Sequence, residues 1–259
     1  MGIEAFIFDV DGTLADTEAA HLTAFNTAFE FLGLGWQWQP LEYRHMLRVA
    51  GGKERIRYYI EGLDIKPPER ARLYAMVRDI HEAKTRIYGE IVREGGVQLR
   101  TGVLRLMNEA LAEGCKLAIA STTTAANIDA LLQAALGTRG LDMFSVIACG
   151  DQVAHKKPSP DIYHLALSGL GLDAEHAIAF EDSPNGLNAA TAAGLWCVVT
   201  PNFWTQDNDF SGAGLLLPHL GDPAAPLPGE PGLHLDSAAW LTCHEAVRLA
   251  EHANAPMTY

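Results

Sequence analysis

Asp9 and Asp11 stand two residues apart at the end of an apolar run, Phe6-Ile7-Phe8-Asp9-Val10-Asp11-Gly12-Thr13. Ala5 to Val10 is apolar and β-branched enough to read as a short buried strand stopped by Gly12. Side chains at i and i+2 project to the same side of a strand, so both carboxylates can address one small volume. Two like charges held that close raise each other's pKa unless a cation lies between them. The pair implies a metal, or a division of roles between an ionised carboxylate and a proton carrier. A capped turn after a strand would also use D-x-D-G. A calcium loop fits poorly, since its pattern needs a third oxygen ligand before the glycine and Gly12 comes too early.

Whether the aspartates act depends on what other strand ends bring to them. Lys116 to Ala120 reads as a strand and delivers Ser121-Thr122-Thr123. Ser145 to Ala148 leads through Cys149-Gly150-Asp151 to Lys156-Lys157-Pro158-Ser159-Pro160-Asp161, and Ala177 to Phe180 delivers Glu181-Asp182-Ser183. Each cluster alone could cap a helix or form a solvated turn. Ligands of an open parallel sheet collect at the carboxyl ends of its strands, and four such clusters in this order make chance a poor explanation.

The elements that must hold these residues alternate. Helices are expected over Gly102 to Glu113 and Thr124 to Ala135, and further strands over Trp196 to Thr200 and Gly214 to Leu217. Apolar strands separated by helices predict an α/β fold, a parallel sheet covered on both faces. Thr17 to Gly95 reads as helical throughout, with apolar spacing near 3.6 over His21–Leu32 and Asp79–Val92 and a Pro67-Pro68 break between units. The expected division is a core of residues 1–16 and 96–259 with a helical cap of 17–95 inserted after the first strand. Pro218 to Gly232 should be a loop, and a last helix is expected over about Ser237 to His252.

With 48% hydrophobic residues the chain has ample core material, and no run approaches a membrane span. Cys115, Cys149, Cys197 and Cys243 are scattered, as buried thiols of a reducing compartment would be. The first strand begins too early for a signal peptide, so a cytoplasmic location is expected. A net charge of −13 argues against nucleic acid. From Thr17 to Gln98 there are 12 Lys/Arg against 11 Asp/Glu, while the remainder has 7 against 21. The cap is where an anionic substrate could be held.

The motifs DVDGT (9–13), Ser121, Lys157-Pro158 and EDS (181–183) together resemble those of the haloacid dehalogenase superfamily phosphatases. The helical insertion resembles the β-phosphoglucomutase-like branch. Ala24-Phe25-Asn26, Trp36-Gln37-Trp38, Gly51-Gly52-Lys53-Glu54-Arg55-Ile56, Ile80-His81-Glu82-Ala83-Lys84-Thr85 and the Lys156–Tyr163 segment are similar to the CbbY group. The resemblance covers Gly2 to about Leu217 and implies a Rossmann-like core with a parallel sheet. It also implies a Mg-dependent phosphatase that removes a phosphate from xylulose 1,5-bisphosphate, an inhibitory by-product of Rubisco. A functional link to Rubisco without direct contact follows, with a small sugar bisphosphate as ligand and neither nucleic acid nor membrane as partner.

By this resemblance Asp9 is the nucleophile and Asp11 the proton carrier. Asp9, the Asp11 backbone carbonyl and Asp182 are the Mg ligands, with Glu181 behind them. Ser121 and Lys157 hold the equatorial phosphoryl oxygens, and Lys157 is preferred to Lys156 because it directly precedes proline. A second phosphate needs cations or backbone N–H groups, and Gly51, Gly52, Lys53, Glu54 and Arg55 suit this. His81 and Lys84 can share a helix face, as can Glu18 and His21, which could reach sugar hydroxyls or Asp11. Thr122, Thr123 and Asn127 are expected contacts from the core side. Tyr43 and Arg48 are weaker candidates, and the tryptophan pair is expected to pack rather than stack on ligand. A phosphosugar mutase shares nucleophile, cap and metal and stays open as an alternative. A binding protein on a retired core is the other; the complete set of acidic, hydroxyl and lysine residues speaks against it.

Overall fold

The computed structural model describes residues 2–229, 235 and 239–254. Six strands form one parallel sheet: β1 (Ala5–Phe8), β2 (Lys116–Ala120), β3 (Val146–Ala148), β4 (Ala177–Glu181), β5 (Trp196–Val199) and β6 (Leu215–Leu216). Their spatial order is β3-β2-β1-β4-β5-β6. The chain runs outward from β1 through β2 to β3 and then returns to the other side of β1. That reversal makes the carboxyl end of β1 a switch point, where an open crevice forms.

The two-residue period is visible in β1. Phe6 and Phe8 face one layer and meet Phe180 at ring centroids of 5.2 and 4.5 Å, while Ala5 and Ile7 face the opposite layer. The first layer is covered by α5 (Val103–Ala112), α6 (Ala125–Leu136) and α9 (Cys243–Asn254). α7 (Asp161–Leu170) and α8 (Pro184–Ala192) cover the second. Burying each phenylalanine of β1 contributes roughly 1.5–3 kcal/mol, so the strand that carries Asp9 is among the best anchored.

Four helices lie between β1 and α5: α1 (Glu18–Phe31), α2 (Pro40–Met46), α3 (Gly52–Glu61) and α4 (Pro67–Arg93). They enclose a separate apolar cluster built on Phe25, Phe29, Trp38, Tyr43, Ile56, Ile60 and Val77. Trp38 is buried there between Phe25, Phe29 and Tyr59, and its backbone N–H and carbonyl are both bonded by the Asn26 side chain. The tryptophans thus pack, as expected. α1 and α4 also touch the sheet-side layer through Ala20, Ala24, Tyr88 and Val92. Pro67-Pro68 opens α4 rather than merely separating two units, because a first-turn proline gives up an N–H that has no partner anyway.

The C-terminal helix begins later than expected. Thr242 and Glu245 form a reciprocal cap, with the Glu245 N–H donating to Thr242 Oγ1 at 3.1 Å and the Thr242 N–H donating to Glu245 Oε2 at 3.4 Å. Capping of that kind fixes the start at Cys243. Ala239 to Thr242 are not helical, and Ser237 and Ala238 lie outside the described residues. Of the expected loop, 218–229 is irregular apart from one bridge between Asp222 and Ala225, and 230–232 fall outside the described residues. Among the described residues no helix is long and apolar enough to cross a membrane.

Candidate active site

The four strand-end clusters meet above β1. Asp9 accepts a hydrogen bond from Lys157 Nζ at 2.7 Å, and the same ammonium donates to Glu181, which also accepts from the Tyr163 hydroxyl. All four groups are buried. Burial works against the Lys157 charge, but Asp9 and Glu181 hold its pKa above the ordinary lysine range. Burial raises Asp9 to about 7 despite Lys157, with Glu181 and Asp11 adding to the rise. Asp182 is pushed well up by burial and then by Asp9 and Glu181.

Asp9, Glu181 and Asp182 each bring one carboxylate oxygen to within 4.8 Å of the others. Three buried acids with one lysine among them leave negative charge uncompensated. A hard divalent cation with oxygen preference fits that donor set. Asp11 is not in the cluster and keeps its carboxylate for the cap side. Gly12 takes φ +86° directly against Asp182, where a Cβ would come within 2.2 Å of Oδ2, so only glycine permits this turn.

Asp11 accepts from Thr17 Oγ1 at 2.7 Å and lies 2.8 Å from His21 Nε2. His21 Nδ1 is 2.7 Å from Lys84 Nζ. An ammonium has no lone pair, so Nδ1 accepts from it and the Nε2–H donates to Asp11. Burial raises Asp11, but His21 and the hydrogen bonds of His21 and Thr17 outweigh it and keep this carboxyl well below its usual range. The cap therefore orients Asp11 from above, through α1 and α4.

One cavity of about 520 Å³ joins this region to the cap. Glu18, His21, Gly51, Gly52, Lys53, Arg55, His81 and Lys84 line it from the cap, and Thr122, Thr123, Asn127, Lys157 and Asp182 from the core. Arg48 lines it too. Ser121 is buried beside it at the end of β2, and its Oγ accepts the Thr123 N–H at 3.3 Å. Asn127 donates to Thr123 Oγ1 at 2.9 Å and keeps a buried Oδ1 without partner. Glu181 lies beneath the lining rather than in it.

At the cap end, α3 starts at Gly52 with no side-chain cap, so its first N–H groups point free. His81 is buried against Gly52, whose Cβ would sit 2.7 Å from the imidazole. Burial, then Lys84, Lys53 and Lys156, push His81 down to about 3. Burial also lowers Lys84 to about 8. Burial and nearby lysines that disfavour charge on His81, and burial that disfavours it on Lys84, are what a bound anion would relieve.

Arg55 is spent differently from what its motif suggests. Its guanidinium donates to Tyr43 Oη at 3.0 Å and to the carbonyls of Met46 and Val49. Tyr43 is wholly buried and donates to Glu18 Oε2 at 2.6 Å, outside the cavity wall. Glu54 pairs with Lys156 across the cleft at 3.2 Å, and Lys53 lies 3.6 Å from Asp151. The cap is further tied down by Asn185 donating to the Arg48 carbonyl at 2.9 Å. Arg44 adds bonds to the Trp204 carbonyl at 3.1 Å and to Asp207 at 2.6 Å.

Sequence reasoning passed over the segment after β5. Asn202 bonds Asp182, Trp204 meets Tyr43 edge-on at 5.7 Å, and Thr205, Asp207 and Asn208 line the cavity. The strand-end rule that found Ser121 and Asp182, applied to Trp196–Thr200, would have pointed here.

Residues 6–200 match the model of the haloacid dehalogenase-like hydrolases. The chain is 50% identical over 226 residues to a plasmid-encoded protein CbbY of Cupriavidus necator, covering 87% of this chain and 89% of that one. It is similar at 47% identity and a TM-score of 0.78 to a crystal structure of a CbbY variant from Rhodobacter sphaeroides in complex with xylulose-(1,5)bisphosphate, over 86% of this chain and 98% of that one. A β-phosphoglucomutase from Clostridium difficile shares the fold at 23% identity and a TM-score of 0.64, over 83% and 90% of the two chains. The chain thus belongs to the haloacid dehalogenase-like hydrolases, in their CbbY branch, and is a phosphatase.

Proposed function

We propose that the enzyme is a Mg-dependent sugar-bisphosphate phosphatase acting on xylulose 1,5-bisphosphate, giving xylulose 5-phosphate and inorganic phosphate. The observation that carries this reading is one continuous cavity with two anion-seeking ends. One end holds Asp9, Lys157 and Asp182, the other the α3 N-terminus with Lys53, His81 and Lys84. A ligand with one phosphate would satisfy only one end; a small bisphosphate satisfies both. The CbbY relative bound to xylulose-(1,5)bisphosphate supports the choice of sugar.

In the first step a carboxylate oxygen of Asp9 attacks phosphorus, and the bond from phosphorus to the sugar oxygen breaks. Asp11, ionised in the free enzyme, must first take up a proton as substrate binds, and in that form it gives the departing oxygen its proton. In the second step Asp11 takes a proton from water, whose oxygen attacks the aspartyl phosphate and restores the Asp9 carboxylate. Ser121 and Lys157 hold the equatorial oxygens in both. Asp9, Asp182 and the Asp11 carbonyl would hold Mg, with Glu181 fixing Lys157 behind them. When bound, the ion neutralises charge on the transferred phosphoryl group.

Glu18 and His21 serve the sugar and Asp11, and Thr122, Thr123 and Asn127 close the core side. Gly51, Gly52, Lys53, His81 and Lys84 take the distal phosphate. Glu54 and Arg55 act indirectly, through Lys156 and Tyr43. In its cell such an activity would clear a Rubisco inhibitor without touching Rubisco. Phosphate release from a panel of sugar mono- and bisphosphates, with and without Mg, tests the reading. Mg-dependent release that strongly favours bisphosphates supports it; isomerised sugar phosphate without free phosphate would favour a mutase.

A further inference from the structure

Asn202 stands three residues beyond β5, in a segment that carries no recognised motif. Its Nδ2 donates to Asp182 Oδ2 at 2.7 Å and to the Gly12 carbonyl at 3.3 Å. Its Oδ1 accepts the Trp204 N–H at 2.8 Å, and the Thr205 hydroxyl approaches it at 3.4 Å. The amide orientation is not ambiguous: the Gly12 carbonyl can only accept and the Trp204 N–H can only donate, so the NH₂ must face the acidic centre. The backbone behind it is also held. Arg100, half-buried, donates to the carbonyls of Gly12, Thr200, Pro201 and Pro218 and to Thr200 Oγ1.

We infer that Asn202 is the positioning residue of Asp182. By occupying Oδ2 and gripping the Gly12 turn, it fixes the rotamer of Asp182 and leaves Oδ1 free for a cation. Two facts about the surroundings favour this over a packing role. Asp182 is buried beside Asp9 and Glu181, like-charged groups that would turn a carboxylate lacking a donor away from them. The same amide also bonds the backbone between Asp11 and Thr13, which sets two of the would-be donors relative to each other. Partners that orient a ligand from behind commonly carry 10–100-fold in metal affinity. This inference rests on the reading of Asp182 as a Mg ligand.

The test is calorimetric titration of the substrate-free full chain with magnesium chloride alone, comparing wild type, Asn202→Ala and Asp182→Asn, with a melting curve for each in EDTA. Asn202→Ala should weaken Mg binding about 10–100-fold, while its EDTA melting temperature stays close to that of wild type. Asn202→Ser, which retains a small donor, should recover part of the loss and serves if the alanine variant does not fold. Wild-type affinity in either Asn202 variant overturns the inference while leaving the Mg site itself standing. Equal binding by wild type and Asp182→Asn overturns the Mg reading of Asp182 and this inference with it.

Discussion

The two ends of the cavity are built on opposite plans. At the sheet end the charged groups are tied to one another: Lys157 to Asp9 and Glu181, Glu181 to Tyr163, Asp182 to Asn202, Asp11 to Thr17 and His21. At the cap end, the α3 N-terminus has no side-chain cap, Lys53 has only a 3.6 Å pairing with exposed Asp151, and a buried His81 faces the cavity. A network whose members hold one another has its geometry before substrate arrives and costs no reorganisation during reaction. A cationic pocket left unsatisfied converts ligand charge into affinity. The proposed function would thus place catalysis and selection on different elements, strand ends for one and the helices between β1 and α5 for the other.

If that division holds, substitutions at the two ends must fail in different ways. Asp9→Asn should abolish turnover, on the order of 10⁴-fold or more in kcat, with the fold retained. Phosphate release beside a melting curve checks this, and substantial release would remove Asp9 as nucleophile. Lys157→Ala should lose activity and also stability, by about 3–5 kcal/mol, since Asp9 and Glu181 are left buried without their counterion. Denaturant unfolding without Mg measures it; an unchanged midpoint would mean the acids find another partner.

At the cap, Lys53→Ala should raise KM for a bisphosphate roughly tenfold while leaving kcat and the weak monophosphate reaction alone. Equal losses on both substrates would take Lys53 out of the distal-phosphate end. Lys84 gives a pH signature. Its pKa of about 8 in the free enzyme would be raised by a bound phosphate, so affinity is full below that pH and falls above it, by up to about tenfold per unit. A KM profile rising above pH 8 and flattened in Lys84→Met is expected; a flat wild-type profile would contradict it. The smallest effect is far from both ends. Thr242→Ala should cost about 1 kcal/mol through the lost cap of α9, with kinetics unchanged.

The residues of the sheet end were legible because their signals are local. An apolar run, its period of two and the polar residues just after it point to Asp9-Val10-Asp11, Ser121-Thr122-Thr123 and Glu181-Asp182-Ser183, and the family resemblance singles out Asp9, Ser121 and Asp182 among them. Arg55 was harder, since only folding brings Tyr43 under its guanidinium and makes a side chain that lines the cavity a brace as well. The end of β5 points to the segment of Asn202 but not to its partners, and Arg100 carries no spacing signal; the contacts of both reach 20 to 190 residues away. The start of α9 was misjudged for a local reason, the Thr242-x-x-Glu245 cap having been read as helix interior. Element types were therefore accessible from pattern, whereas the wiring between them was not.

The most direct measurement compares kcat/KM for xylulose 1,5-bisphosphate and xylulose 5-phosphate in the presence of Mg, with free phosphate and sugar isomers followed together. A two-ended site predicts one phosphate released per bisphosphate, no isomer, and a preference for the bisphosphate of about a hundredfold or more, as two charge-assisted contacts would supply. Equal kcat/KM on the two substrates, or isomer formed in place of phosphate, would contradict it.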